Sequence, residues 1–284
     1  MARYLILNAD DFGYDAETNE AVETLLKSDR ITSVSLLAPA PAAADAARTA
    51  TRLGVSVGVH LCLTSDDGTA LWHSVSRIKR IGETLPRDAK ALTLGVTHRD
   101  VRAELTAQYD RIAALGCAID HADAHSGALY GLAGRRFYLD AFDLCAHHAL
   151  PFRFPKTPGF FLRETGGKAA PAVKAMHAAI LRQATKRNVL LPDDVRSDPR
   201  KPEDIKTRDD LFAYYIAAVR ECREGVTEIF LHPRAAEAVP GSPWQKRRWE
   251  YELLLSGVLL EEARACGVKV VIPIHAYRGM IQRY

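Results

Sequence analysis

VSVGVHLCLT, residues 55–64, places apolar side chains at every second position: Val55, Val57, Val59, Leu61 and Leu63 alternate with smaller or polar residues. A period of two is that of a strand. The segments on either side give it a context. YLILN (4–8) and TSVSLLA (32–38) precede it, and AIDHADAH (118–125), PFRFP (151–155), VLLPDDV (189–195), VTEIFLHP (226–233) and VKVVIPIH (268–275) follow. Between them lie helix-period stretches at 15–28, after Pro41, at 100–115 with Gly116 in the capping position, near 135–148, around 170–187, at 208–223 and at 243–265. Strands alternating with helices predict a parallel sheet, and the continuous apolar runs at 226–233 and 268–275 predict burial on both faces. Eight strands is the number of a closed (β/α) barrel; an open doubly wound sheet is the competing arrangement. Two stretches, 65–98 and 156–169, break the alternation and read as loop insertions without regular structure, of the kind that form lids or binding loops. No repeat or linker divides the chain, which predicts one domain over 1–284.

The composition, 48% hydrophobic and 26% charged over 284 residues, excludes disordered and fibrous classes. Lys and Arg number 38 against 35 acids, a formal charge of +3, and the RIKR (77–80) and QKRR (245–248) clusters read as solvated faces; no nucleic-acid partner is expected. No apolar run approaches the roughly 18 residues of a membrane span, and the start of the chain is too short in apolar residues for a signal-peptide core. Cys62, Cys117, Cys145, Cys222 and Cys266 are dispersed and odd in number, which predicts free thiols and a cytoplasmic location.

Acids and histidines recur where the predicted strands end. Asp10 and Asp11 sit just past the first, His60 near the end of the third, and His121, Asp123 and His125 in the fourth. Arg153 lies in the fifth, Asp193 and Asp194 follow the sixth, His232 ends the seventh and His275 the last. Barrels build their active sites at those ends, from residues far apart in sequence. Two imidazoles and a carboxylate with positions left open suit a catalytic divalent ion, and an adjacent second carboxylate is available as a general base. Spacing alone does not divide those roles. Each residue also has an ordinary use: Asp10 or Asp11 as a helix N-cap, His60 as a hydrogen-bonded core side chain, His232 as a strand terminator. His121, Asp123 and His125 share one strand face at period two. The remaining histidines, His73, His98, His147, His148 and His177, carry no such positional signal. No dinucleotide, phosphate-loop or nucleophile-elbow motif is present.

NADDFG (8–13), GVHLCLT (58–64), HADAH (121–125), FRFP (152–155) and IFLHP (229–233) occur in the order and spacing of the YdjC-like deacetylases, a family that includes chitooligosaccharide and hopanoid-associated deacetylases. The resemblance implies a barrel-like fold related to polysaccharide deacetylases, irregular or incompletely closed. It implies one divalent metal ion, Zn or Mg, held by Asp11, His60 and His125. It implies Asp10 as catalytic base, His232 as general acid, and Arg153 as the arginine that orients the base. The substrate it implies is a small acetylated carbohydrate that loses its acetyl group by hydrolysis. Departures stand at Ala124 and Gly127, where the family pattern has Ser and His, and at Leu231 and Arg234 of LHPR, where it has C-H-P-G; these bear on substrate choice. A metal-dependent hydrolase of another amide or ester, a sugar isomerase and a non-catalytic carbohydrate-binding barrel are the alternatives. Trp72, Phe160 and Phe161 in the insertions are expected to offer stacking surface for a sugar ring, and the rim insertions are compatible with a homodimer.

Overall fold

β1 (Arg3–Phe12) is ten residues long and buried over its last eight, and the rest of the sheet is hung on it. In the computed structural model, which describes residues 2–66, 70–93, 95–130, 135–164 and 171–281, the chain runs from β1 through α1 (Ala16–Lys27), β2 (Ser33–Leu36), α2 (Ala43–Leu53) and β3 (Val57–Leu61). It continues through α3 (Ala89–Thr93), α4 (His98–Ala114), β4 (Ile119–Ala124), α5 (Tyr138–His148), α6 (Gly159–Glu164), α7 (Pro171–Lys186), β5 (Asp194–Arg196) and α8 (Arg208–Arg220). β6 (Gly225–Leu231), α9 (Pro243–Ser256), α10 (Val258–Ala265), β7 (Lys269–Val270) and α11 (Pro273–Ile281) complete the described chain. Every strand pairing is parallel, in the order β4-β3-β2-β1-β6-β5, with β7 against the start of β1.

The sheet curls so that its two ends approach without pairing to each other. Pro151–Arg153 spans the gap between them: Ala122 N–H donates to the Pro151 carbonyl (3.0 Å), Arg153 N–H to the Ala122 carbonyl (3.0 Å), and Phe152 N–H to the Leu190 carbonyl (2.9 Å) ahead of β5. The result is the expected barrel-like parallel architecture, irregular at one seam, and not the open doubly wound sheet. Seven strands form among the described residues where eight were expected, because 151–155 contributes only a bridge between Phe152 and Ala122. Prolines 151 and 155 have no N–H to give a ladder.

Other expectations shift for equally local reasons. VKVVIPIH yields a two-residue strand, and Pro273 opens α11, so His275 lies in a helix and does not end a strand. The helix expected over 243–265 breaks at Gly257, whose φ of 79° ends α9 and starts α10. Pro192 delays the sixth strand, so Asp194 begins β5 and does not follow it. The 156–169 insertion contains the short helix α6, and 65–98 contains α3 and a bridge between His73 and Thr84; residues 67–69, 94 and 165–169 of these insertions lie outside the described residues. Gly116, at φ 87°, follows α4 as expected.

One glycine sets how closely the strands can approach. A Cβ on Gly58 would lie 2.2 Å from Nε2 of His121 on the neighbouring β4. Gly58→Ala must therefore displace the buried His121 ring from its place beside Ser33 and Ser35, and a loss of about 1–3 kcal/mol in urea unfolding is expected; an unchanged midpoint would show that the ring relocates freely.

Candidate metal centre

Asp10 and Asp11 are neighbours, and in a regular strand their side chains would leave on opposite faces. They do not, because β1 is irregular there. Ala9 pairs with Val34 and Phe12 with Leu36, so three steps on β1 match two on β2, an extra residue that makes a β-bulge. Asp11 takes up the bend at φ 65°, a conformation rare outside glycine. The pair thus lies inside β1 rather than just beyond it. The N-cap of the following helix is Asp15, which accepts from Thr18 N–H, and not either member of the pair. Gly13, at φ 102°, passes so close to α2 that a Cβ would sit 2.9 Å from Ala43 Cα.

Both carboxylates reach the other predicted residues. Asp11 Oδ1 lies 3.4 Å from His60 Nε2 and 3.2 Å from His125 Nδ1, and those two nitrogens are 3.3 Å apart. The three atoms form a nearly equilateral triangle. Tetrahedral ligands at about 2.0–2.2 Å from an ion stand roughly 3.4 Å from one another, so the residues fit a divalent ion. Their outer contacts agree. His60 Nδ1 is 2.6 Å from Asp123 Oδ1, and His125 Nε2 is 2.7 Å from Asp66 Oδ1. A carboxylate can only accept, so each ring places one N–H there and turns its other nitrogen inward, the one an ion would take once it is deprotonated. Both oxygens of Asp11 are buried and neither accepts a well-formed hydrogen bond; Oδ2 has the Arg247 guanidinium beside it, and Oδ1 has only the two imidazole nitrogens.

Asp10, His60 and Asp123 form a second cluster of possible ligands. A cation already serves it. Arg153 Nη1 and Nη2 donate to the two oxygens of Asp10 at 2.7 and 2.8 Å, Nη2 lies 2.7 Å from Asp123 Oδ2, and Nε donates to Glu228 Oε1 at 2.7 Å. Asn8 Nδ2 donates to Asp10 Oδ1 and to Ser35 Oγ, and Ser35 Oγ donates to Asp123 Oδ2. One Asp of the pair is therefore pinned by a guanidinium, and the other faces the imidazoles. His232 lies at the rim, its Nε2 3.8 Å from Asp10 Oδ2, while its backbone N–H donates to the buried Glu250.

The electrostatics follow from this crowding. Burial would raise the Asp11 carboxyl, but Arg247 and the two imidazoles hold it well below the usual range. Burial would lower His60, but the carboxylates of Asp123, Asp10 and Asp11 push it up to about 10 in the metal-free protein. His125 is raised as well, with hydrogen bonds to Asp11 and Asp66 outweighing burial. His232 moves the other way, lowered by burial and by Arg247.

Asp10, Asp11, His60, His125, Arg153 and His232, far apart in sequence, thus meet at one end of the ring. Other candidates do not join them. His121, expected to share a face with His125, lies deeper, 3.3 Å from Ser33 and Ser35 and paired with Asp120. Asp193 and Asp194 bind Lys156, Arg163 and Arg196 away from the centre. Trp72 is 2% exposed, its ring centroid 5.6 Å from that of His125, so it backs a candidate ligand and offers no open stacking face. Glu228, Asp66 and Arg247 were not anticipated; QKRR is no solvated face, since Arg247 reaches Asp11 Oδ2 at 2.7 Å. Glu228 had a signal, a lone charge in an apolar strand.

The sequence model of the YdjC-like protein family matches residues 4–264. The chain belongs to the YdjC-like family. Among curated YdjC-like relatives it is 38% identical over 126 residues to the carbohydrate deacetylase of Geobacillus stearothermophilus, 44% of this chain and 50% of that protein. It is 34% identical over 127 residues to the chitooligosaccharide deacetylase of Proteus mirabilis (strain HI4320), 44% of this chain and 49% of that one. The matches span about half the length of these relatives. A solved structure from Enterococcus faecalis V583, provisionally named a cellobiose-phosphate cleavage protein, superposes with a TM-score of 0.72 at 20% identity and covers 97% of this chain and 99% of its own; that likeness is one of fold. No helix among the described residues is long and apolar enough to cross a membrane.

An imidazole must be neutral to ligate, and His60 holds a proton up to about pH 10. Metal uptake near pH 8 is therefore expected to expel at least one proton, and binding to tighten as pH rises. Calorimetry in buffers of different ionisation enthalpy reads both; no released proton would contradict the assignment. Arg153→Met leaves Asp10, Asp123 and Glu228 without their shared cation, and a loss of about 3–5 kcal/mol is expected in urea unfolding.

Proposed function

We propose that this YdjC-like protein is a divalent-metal-dependent hydrolase that removes the acetyl group from an N-acetylated sugar or oligosaccharide, and that it works as one domain. The observation that carries the reading is the division of the aspartate pair: Asp11 joins His60 and His125 in a triangle sized for an ion, and Asp10 stands beside it, pinned by Arg153. The names of the Geobacillus and Proteus relatives supply the substrate class.

Asp11, His60 and His125 would hold the ion, Zn or Mg. Bound there, it supplies Lewis acidity towards the acetyl carbonyl and makes a water more acidic. Asp10 takes the proton of the attacking water. Arg153 and Asn8 fix both oxygens of Asp10, so the base meets the water in one orientation. His232, partly exposed beside Asp10, delivers a proton to the leaving amine. Its lowered pKa makes the imidazolium a stronger acid and leaves the ring mostly neutral near pH 7, so the proton it delivers has to be gained from Asp10 or solvent during the reaction. Glu250 accepts the His232 backbone N–H at 2.7 Å and holds the loop that carries the ring.

The two aspartates should separate in a single experiment. Asp10→Asn is expected to lower acetate release by about 10²–10⁴ while keeping metal affinity, whereas His60→Ala loses both. Acetate release across N-acetylglucosamine oligomers and other acylated sugars, with metal measured calorimetrically, checks this; equal metal loss in the two variants would overturn the division of roles.

A further inference from the structure

Arg247 enters the centre from α9. Its side chain is 17% exposed, and its buried Nη1 lies 2.7 Å from Asp11 Oδ2. The guanidinium rests 5.1 Å above the ring of Tyr14 and 5.6 Å from that of Trp244, which fixes its plane. The two oxygens of Asp11 therefore face different partners. Oδ1 faces His60 Nε2 and His125 Nδ1, and Oδ2 faces Arg247.

We propose that Arg247 is a positioning residue that confines Asp11 to a single ligating oxygen and so keeps coordination positions open for water and substrate. The proposal rests on the reading of Asp11, His60 and His125 as a metal site. A carboxylate with no cation against it can offer both oxygens to an ion. A guanidinium at hydrogen-bond distance from one oxygen withdraws it. The same cation repels a second one across the shared carboxylate, so Arg247 also loosens the metal. Among the described residues no neighbouring arginine replaces it: Arg153 is committed to Asp10, Asp123 and Glu228, and Arg234 to Asp15 and Glu17. An ordinary supporting residue behaves in the opposite way, since its loss weakens metal binding.

The sign of the effect is the test. Metal-free wild type, Arg247→Met and His60→Ala are titrated with Co²⁺ by calorimetry, and the visible spectrum of each Co²⁺ form is recorded, its intensity falling as coordination number rises. Arg247→Met is expected to bind Co²⁺ about tenfold more tightly or better, since the like charge across the carboxylate is gone, with a weaker visible band and at least a tenfold loss of acetate release at saturating metal. Equal or weaker Co²⁺ binding, or an unchanged spectrum, overturns the proposal. Should Arg247→Met not fold, as judged by circular dichroism of the metal-free protein, Arg247→Gln carries the same test with the same expected direction. His60→Ala separates the two levels. Its loss of Co²⁺, with Arg247→Met like wild type, overturns only the role of Arg247, whereas undiminished Co²⁺ binding in His60→Ala overturns the metal site itself.

Discussion

Three carboxylates, those of Asp10, Asp123 and Glu228, are buried inside a ring of parallel strands and meet a single guanidinium, Arg153. Few arrangements let a protein place that much negative charge out of water. A buried charge that loses its partner is far more costly than one exposed at the surface. The position of Arg153 is therefore not negotiable, and the irregular seam of the barrel follows from it. Residues 151–155 bring the arginine in between two prolines, bonded to β4 on one side and to the approach to β5 on the other. The least regular part of the sheet carries its most connected side chain.

From that point the charge is distributed outward in ordered steps. Arg153 fixes Asp10 and Asp123; Asp123 fixes His60; His60 and His125 face Asp11; and Asp11 is closed off by Arg247. Each group has its orientation set by the one before it. His60, raised to about 10 by this chain, holds a proton near neutral pH until something displaces it, and His125 is shifted in the same direction, which couples any cation binding to pH.

Much of this was legible in the residues. The period of two in 55–64 and the buried runs near 226 reported a parallel ring, and acids and histidines at successive strand ends reported where it opens. What escaped were features that depend on three-dimensional partners. Proline made a bridge of an expected strand at 151–155 and a helix of the end of 268–275. His121 and His125 sit at period two from Asp123, yet one lies among serines and the other beside Asp11, because depth along the strand is invisible to a face count. Arg247 looked like solvated charge because its cluster is basic. Its helical position was the available signal: Trp244, three residues before it and half-buried, and Leu254, seven after it and buried, lie on its side of α9.

The bulge in β1 has a consequence for how such a centre can change over time. Two adjoining letters of the sequence face unlike partners, and so would carry the unlike tasks proposed for them, only because one extra residue turns the chain between them. Removing or adding a single residue between Ala9 and Phe12 would not weaken one task and leave the other intact; it would turn one carboxylate out of the ring and end both together. Asp10 and Asp11 are therefore inherited as a unit, spelled by two codons but specified by one irregularity of the backbone.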